Sequence, residues 1–124
     1  MTIYREFARF AALAAVVLIG AESAAARTPF DGNWSVSIWT DRGGCDRGYR
    51  YELRIANGRV SYGGEGSFEV SGRVDGRGRV QVRVSRGNQS ANGSGRLSAR
   101  HGRGTWRGQS SASACSGWWE AERR

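Results

Sequence analysis

The chain has 124 residues and a formal net charge of +8, from 19 basic and 11 acidic residues. All 19 basic residues are arginine, glycine occurs 19 times, and proline occurs once. The length excludes an array of several ordinary domains, and the glycines lack the strict repeat of collagen. The charge favours acidic partners, although the arginine-rich coding of a GC-rich genome would produce the same composition.

The first 26 residues have the layout of a secretory signal peptide. Arg5 and Arg9 make the start positive, residues 10–20 form an uncharged apolar run, and residues 24–26 are small alanines. The apolar run is shorter than the roughly 20 residues that a membrane-spanning helix needs. We therefore predict a helical signal peptide, cleaved after residue 26, and a periplasmic or secreted mature chain over 27–124.

The mature chain alternates apolar and polar residues in eight short segments separated by glycine-rich turns. Alternation with a period of two predicts strands with one buried and one wet face. We predict strands over 33–40, 49–56, 59–62, 67–74, 79–85, 91–99, 102–107 and 114–121. Asn57-Gly58 is a strong hairpin turn because both residues tolerate positive φ. The sixth strand is the weakest, and its Gly93 and Gly95 face inward, where they would leave space.

Consecutive hairpins form a meander, and eight strands are enough to close a barrel. The sequence therefore predicts an all-β fold: an eight-stranded antiparallel up-and-down barrel in a single domain over 27–124. Closure brings Cys45, after the first strand, beside Cys115, in the last strand. An exported chain meets an oxidising compartment, so we predict a disulfide between them. A reactive thiol pair is the alternative, which the absence of a C-x-x-C motif disfavours.

Closure also predicts a register between the first and last strands. The predicted inner pairs are Trp34 with Arg123, Val36 with Ala121 and Ile38 with Trp119. The predicted outer pairs are Ser35 with Glu122, Ser37 with Glu120 and Trp39 with Trp118. Exposed aromatic residues suggest a contact surface for sugar or protein. Alternatively, Trp39 and Trp118 only cover the seam near the disulfide.

A second candidate surface is a basic stripe on the outer face of the fourth to sixth strands. It consists of Arg73, Arg79, Arg83, Arg96 and Arg100. Guanidinium groups bind carboxylates and phosphates in a bidentate manner, so the stripe predicts an anionic glycan or another envelope component as partner. Export and the lack of interleaved aromatics argue against nucleic acid.

No group of residues predicts catalysis. His101 is the only histidine, and it falls in the turn after the sixth predicted strand. The cysteines and His101 lack the spacing of a metal site, and no carboxylate pair lies in a predicted apolar pocket. We predict no enzyme, no metal and no cofactor, with a hydrolase as the alternative.

Gly32-Asn33-Trp34 resembles the G-x-W motif that opens lipocalin-like (calycin) barrels. That resemblance implies contact between Trp34 and a basic residue of the last strand, for which Arg123 is the candidate. It also implies an apolar ligand inside the barrel or, as in smaller bacterial relatives, inhibition of proteases or lysozyme.

The whole mature chain also resembles uncharacterised secreted proteins of Gram-negative bacteria. The residues that carry this pattern are Gly32, Trp34, Cys45, Tyr49, Tyr51, Gly104, Trp106, Gly108, Cys115, Gly117 and Trp119. This resemblance implies the fold and export, but it implies no activity.

We therefore expect an exported, monomeric, non-catalytic binding or envelope-interaction protein. A small-molecule carrier is one alternative, and an inhibitor of a secreted hydrolase that uses the loop 41–48 is another. The state of the interior separates them, because a carrier needs a hollow barrel, whereas Trp34, Trp106 and Trp119 are large enough to fill it.

Overall fold

The computed structural model describes residues 27–64 and 66–124. Eight strands form a closed barrel in which every strand pairs with its sequence neighbour and β1 pairs with β8. The strands are β1 Gly32–Arg42, β2 Gly48–Ala56, β3 Arg59–Tyr62, β4 Glu69–Val74, β5 Arg79–Arg86, β6 Gln89–Leu97, β7 His101–Gln109 and β8 Ala114–Arg123. The predicted signal peptide lies outside the described residues. Within them, no helix has the length and apolar character to cross a membrane.

The pairing of β1 with β8 closes the barrel and has the register predicted from the sequence. All six predicted pairs are present, from Trp34 opposite Arg123 to Trp39 opposite Trp118. A slip by one residue would turn Trp119 and Ala121, which are both buried, toward solvent. Burial of one face therefore fixes the register of the closing strands.

The disulfide between Cys45 and Cys115 is confirmed, with Cα atoms 6.2 Å apart. It joins the β1–β2 loop to the start of β8. Both cysteines are used, and no free cysteine remains among the described residues. The reactive thiol pair was therefore the wrong alternative. We call the end of the barrel that carries this bond the disulfide end.

Most strands begin or end one or two residues away from the predicted bounds. β6 begins at Gln89 and ends at Leu97 rather than covering 91–99, because Gly87 (φ 61°) and the next residue form a tight turn that pairs Arg86 with Gln89. β4 begins at Glu69 rather than 67. β7 begins at His101, so this histidine lies in a strand and not in the preceding turn.

The segment before β1 seals the other end of the barrel. Phe30 is buried there, and its carbonyl accepts a hydrogen bond of 2.9 Å from Trp34 Nε1. The guanidinium of Arg123 lies 5.3 Å from the centroid of the Trp34 ring. It donates to the backbone carbonyls of Pro29, Asp31 and Ala99. We call this end the sealed end.

Side chains from every strand except β7 join Phe30 in one buried cluster. Its strand members are Trp34, Val36, Ile55, Val60, Val74, Val80, Leu97, Trp119 and Ala121, with Val74 closing β4. Ile38, Leu53, Val70, Val82 and Trp106 pack against this cluster but are only partly buried. The interior is therefore tightly packed around Trp34 and less tightly packed beside these partly buried residues. The candidate site lies in the less tightly packed part.

Candidate functional site

A cavity of about 430 Å³ occupies the barrel interior, a size within the range of small-molecule sites. Its walls include the inward side chains of Ile38, Leu53, Val70, Val84 and Trp106. At the disulfide end it is lined by loop and hairpin residues, among them Gly44, Asp46, Arg86, Gln89 and Ser110. The sequence left a filled and a hollow interior open, and the barrel is hollow.

Two glycines of β6 were expected to leave space, and only one does. Gly93 lines the cavity, and a Cβ added there would make ordinary contacts at 3.7 Å or more. At Gly95, a Cβ would overlap the carbonyl oxygen of Arg103 and the indole of Trp119. The space beside Gly95 is therefore occupied by Trp119, whereas the space beside Gly93 belongs to the cavity.

The three tryptophans that face inward have their polar atoms bound within the protein. Trp34 Nε1 donates to the carbonyl of Phe30 at 2.9 Å, and Trp106 Nε1 donates to that of Trp39 at 3.0 Å. Trp119 Nε1 donates to the carbonyl of Ser94 at 3.2 Å. These indoles therefore offer the cavity apolar surface and do not require a polar ligand group.

An aromatic cluster, which we call the mouth cluster, lies toward the disulfide end of the cavity. It consists of Tyr49, Tyr51, Tyr62 and Phe68, with successive ring centroids 5.3 to 6.1 Å apart. The Arg86 guanidinium lies 5.0 Å from the Phe68 ring centroid. Burial raises the pKa of Tyr51, Tyr49 and Tyr62 raise it further, and Arg86 opposes them. The Tyr51 hydroxyl therefore stays protonated at neutral pH and is able to donate a hydrogen bond.

On the outside of the barrel, Trp39 and Trp118 stack with ring centroids 4.1 Å apart and an angle of 19° between planes. Trp118 is 42% exposed. The predicted position of this pair on the outer face of β1 and β8 is correct. Its role as a contact surface stays a prediction.

Four of the five stripe arginines lie exposed on the outer face of β4, β5 and β6: Arg73, Arg79, Arg83 and Arg96. Arg100 does not belong with them. Because β6 ends at Leu97, Arg100 lies in the turn that leads to β7. Arg79 forms an ion pair of 2.9 Å with Asp75, so it is a weaker candidate for binding an external anion.

A shallow groove crosses the outer face from β4 to β8, and we call it the outer groove. Its lining includes Asp41, Ser71, Arg73, Gln81, Arg83, Asn92, Ser94, Thr105, Arg107 and Ser116. Arg107 lines this groove and does not belong to the predicted stripe. The turns after Arg86 and after Leu97 contain the signal for it, because they align Arg83 with Asn92 and Asn92 with Arg107.

Neither surface has the residues of a familiar catalytic or metal site. In the described ranges, no three His, Cys, Asp or Glu residues are grouped to hold a metal ion. His101 is exposed at the start of β7, opposite Glu122.

No family model matches the chain, and neither the curated proteins nor the solved structures include a match. The cavity and the outer groove are therefore the features that indicate a function, since a barrel fold alone implies none.

Proposed function

We propose that this chain is an exported, non-catalytic carrier that holds a small, mainly apolar molecule inside the barrel. The cavity of about 430 Å³ carries the proposal, because ligand sites typically measure about 300–1,000 Å³. Export is part of the proposal, and the disulfide is compatible with it. The guanidinium of Arg123 contacts Trp34, the contact that the resemblance to calycin barrels implies.

The lining favours a ligand with an apolar body and one polar end. Valine, leucine and isoleucine side chains dominate the strand walls, and the indole N–H groups of the inner tryptophans are already bound. Polar groups gather toward the disulfide end, where Tyr51 and Arg86 line the cavity. A hydroxyl or acidic group of the ligand would meet Tyr51 and Arg86, and its hydrocarbon part would extend toward Trp119.

Binding of N-phenyl-1-naphthylamine, a neutral apolar fluorescent probe, tests the proposal. We expect saturable binding to the mature protein, with energy transfer from the inner tryptophans to the probe. Val84→Trp adds an indole to the cavity wall, so we expect it to weaken probe binding by about ten-fold, a loss of about 1.4 kcal/mol.

Arg54→Trp is the matched control, since Arg54 is exposed on β2 and the same side chain is added outside the barrel. It should bind the probe as the parent protein does. Equal binding by the parent protein and Val84→Trp would show that the probe sits elsewhere and would contradict the carrier proposal.

Inhibition of a hydrolase by the loop 41–48 is the second candidate function. The hydrogen bonds that restrain this loop favour it. Residues 43, 44, 46 and 47 are exposed, yet Thr40 Oγ1 donates to the Asp46 carbonyl at 2.6 Å and Thr40 N donates to Arg47 at 3.0 Å. A restrained exposed loop loses little entropy on binding. Inhibition of lysozyme or trypsin that disappears in Asp46→Ala/Arg47→Ala would support this role, whereas no inhibition by the parent protein would refute it for these enzymes.

A further inference from the structure

We propose that the outer groove binds an anionic polysaccharide, independently of any ligand inside the barrel. The pairing register brings together two features that look separate in the sequence, the stacked tryptophans and the arginines of β4 to β7.

The floor of the outer groove includes a row of residues on successive strands, Gln81, Ser94 and Thr105, and this row continues beyond the groove to the stacked tryptophans. Gln81 is opposite Ser94, Ser94 is opposite Thr105, and Thr105 is opposite Trp118, which stacks on Trp39. Strands lie about 4.8 Å apart, so the row follows the curved outer surface of the barrel from β5 to β1 for about 19 Å. The result is a track of short polar side chains that leads to the stacked tryptophans.

Arginines flank this track. Arg73 is opposite Gln81 at the far end from the tryptophans. Arg83, Asn92 and Arg107 form the adjacent row toward the disulfide end. Within 27–64 and 66–124, no ion pair involves Arg73, Arg83 or Arg107. Asp41 is the carboxylate in the lining, so the groove keeps an excess of positive charge.

The row toward the sealed end adds to this charge. Arg79 is opposite Arg96, and Arg96 is opposite Arg103. Like charges directly opposite each other destabilise a sheet. Asp75 pairs with Arg79 and Glu120 is opposite Arg103, but Arg96 lies between two arginines. The row of three arginines therefore costs stability, and a bound polyanion would relieve the repulsion between them.

The distribution of side chains favours a polysaccharide over a nucleic acid. A single-stranded nucleic acid stacks successive bases on aromatics spread along its path, whereas the aromatics here stand at one end of the track. Hydroxyl and amide groups of Ser94, Thr105 and Asn92 suit sugar hydroxyls, and the exposed Trp118 suits the apolar face of a sugar ring. Guanidinium groups bind the carboxylate or sulfate groups of the chain.

Dextran sulfate is the probe, and neutral dextran of the same length is its control. We expect dextran sulfate to bind and neutral dextran to bind at least about ten-fold more weakly, with affinity falling as salt increases. Arg83→Gln/Arg107→Gln should weaken dextran sulfate binding by about ten-fold or more, since each change removes charged hydrogen bonds.

The matched control is Arg54→Gln/Arg124→Gln at the sealed end, which removes the same charge from exposed positions far from the stacked tryptophans. It should retain affinity within about three-fold, because distant exposed charges are screened. Equal losses in both variants would mean that binding follows net charge, and the proposal would be overturned. Tighter binding of a single-stranded oligonucleotide of equal charge would overturn it as well.

The five tryptophan indole N–H signals provide a test without substitutions. Dextran sulfate should shift the NMR signal of Trp118 and leave those of Trp34 and Trp119 unchanged, because only the first is exposed. An unchanged Trp118 signal at saturation would place the polysaccharide elsewhere and contradict the proposal. Displacement of N-phenyl-1-naphthylamine is not expected, so this test and that of the carrier proposal fail separately.

Discussion

The indole of Trp119 occupies the space in front of two glycines, Gly95 on β6 and Gly104 on β7. An added Cβ at either position would approach Trp119 Cζ2 to within 2.6 Å. The two glycines are directly opposite each other. They allow a large ring to lie close against the sheet. Gly93, two residues before Gly95 on the same face of β6, leaves the neighbouring space to the cavity.

This difference predicts opposite tolerances for the same substitution. Gly95→Ala should lower the free energy of unfolding by about 1–3 kcal/mol, because overpacking forces Trp119 and the backbone apart. Gly93→Ala is the control, with ordinary contacts only, and it should change that free energy by less than about 0.5 kcal/mol. Urea unfolding measures both, and similar values for the two would contradict the packing described here.

At the level of elements, β8 closes the sheet and also contributes Arg123 to the sealed end. Its last residue, Arg123, binds carbonyls of the segment before β1 and of the β6–β7 turn. Its guanidinium also covers Trp34. The neighbouring Arg124 instead faces Glu52 at 3.7 Å in an exposed pair. Two adjacent arginines therefore have different roles at the sealed end.

Arg123→Ala should lower the free energy of unfolding by about 2–3 kcal/mol, since it leaves several carbonyls without their charged donor. Arg124→Ala should lower it by less than about 0.5 kcal/mol, because exposed ion pairs contribute little. Thermal and urea unfolding of the two variants give the comparison. Equal effects would show that Arg123 does not hold the sealed end together.

Strand positions were largely predictable, because alternation marks the buried face of each strand. The exceptions were ends of strands. β6 was predicted two residues late at both ends because its interior offers glycines rather than large apolar residues, so its bounds depend on the turn at Gly87. The same error placed Arg100 on the outer face and His101 in a turn.

For the whole molecule, the closing pair β1–β8 is the contact most distant in sequence, and the disulfide lies beside it. The bond joins residues 70 positions apart, so it restricts most of the barrel segment in the unfolded chain. It also holds the β1–β2 loop at the cavity lining, where Gly44, Cys45 and Asp46 contribute.

Cys45→Ala/Cys115→Ala should lower the free energy of unfolding by about 4 kcal/mol, the chain-entropy estimate for a loop of this size. Urea unfolding with and without reductant provides the check. Reductant should destabilise the parent protein by a similar amount and leave the variant unchanged. A parent protein that is indifferent to full reduction would contradict a stabilising role for the bond.

The sequence by itself determined the barrel, its closure and the β1–β8 register, because alternating residues assign each strand one buried face and two cysteines mark where the ends meet. It also placed Trp39 beside Trp118. Only the tertiary structure decided that the interior is hollow, since this depends on where the ring of Trp119 rests against Gly95 and Gly104. It likewise decided the outer groove, because Arg107 joins Arg83 there only through the combined registers of β5, β6 and β7.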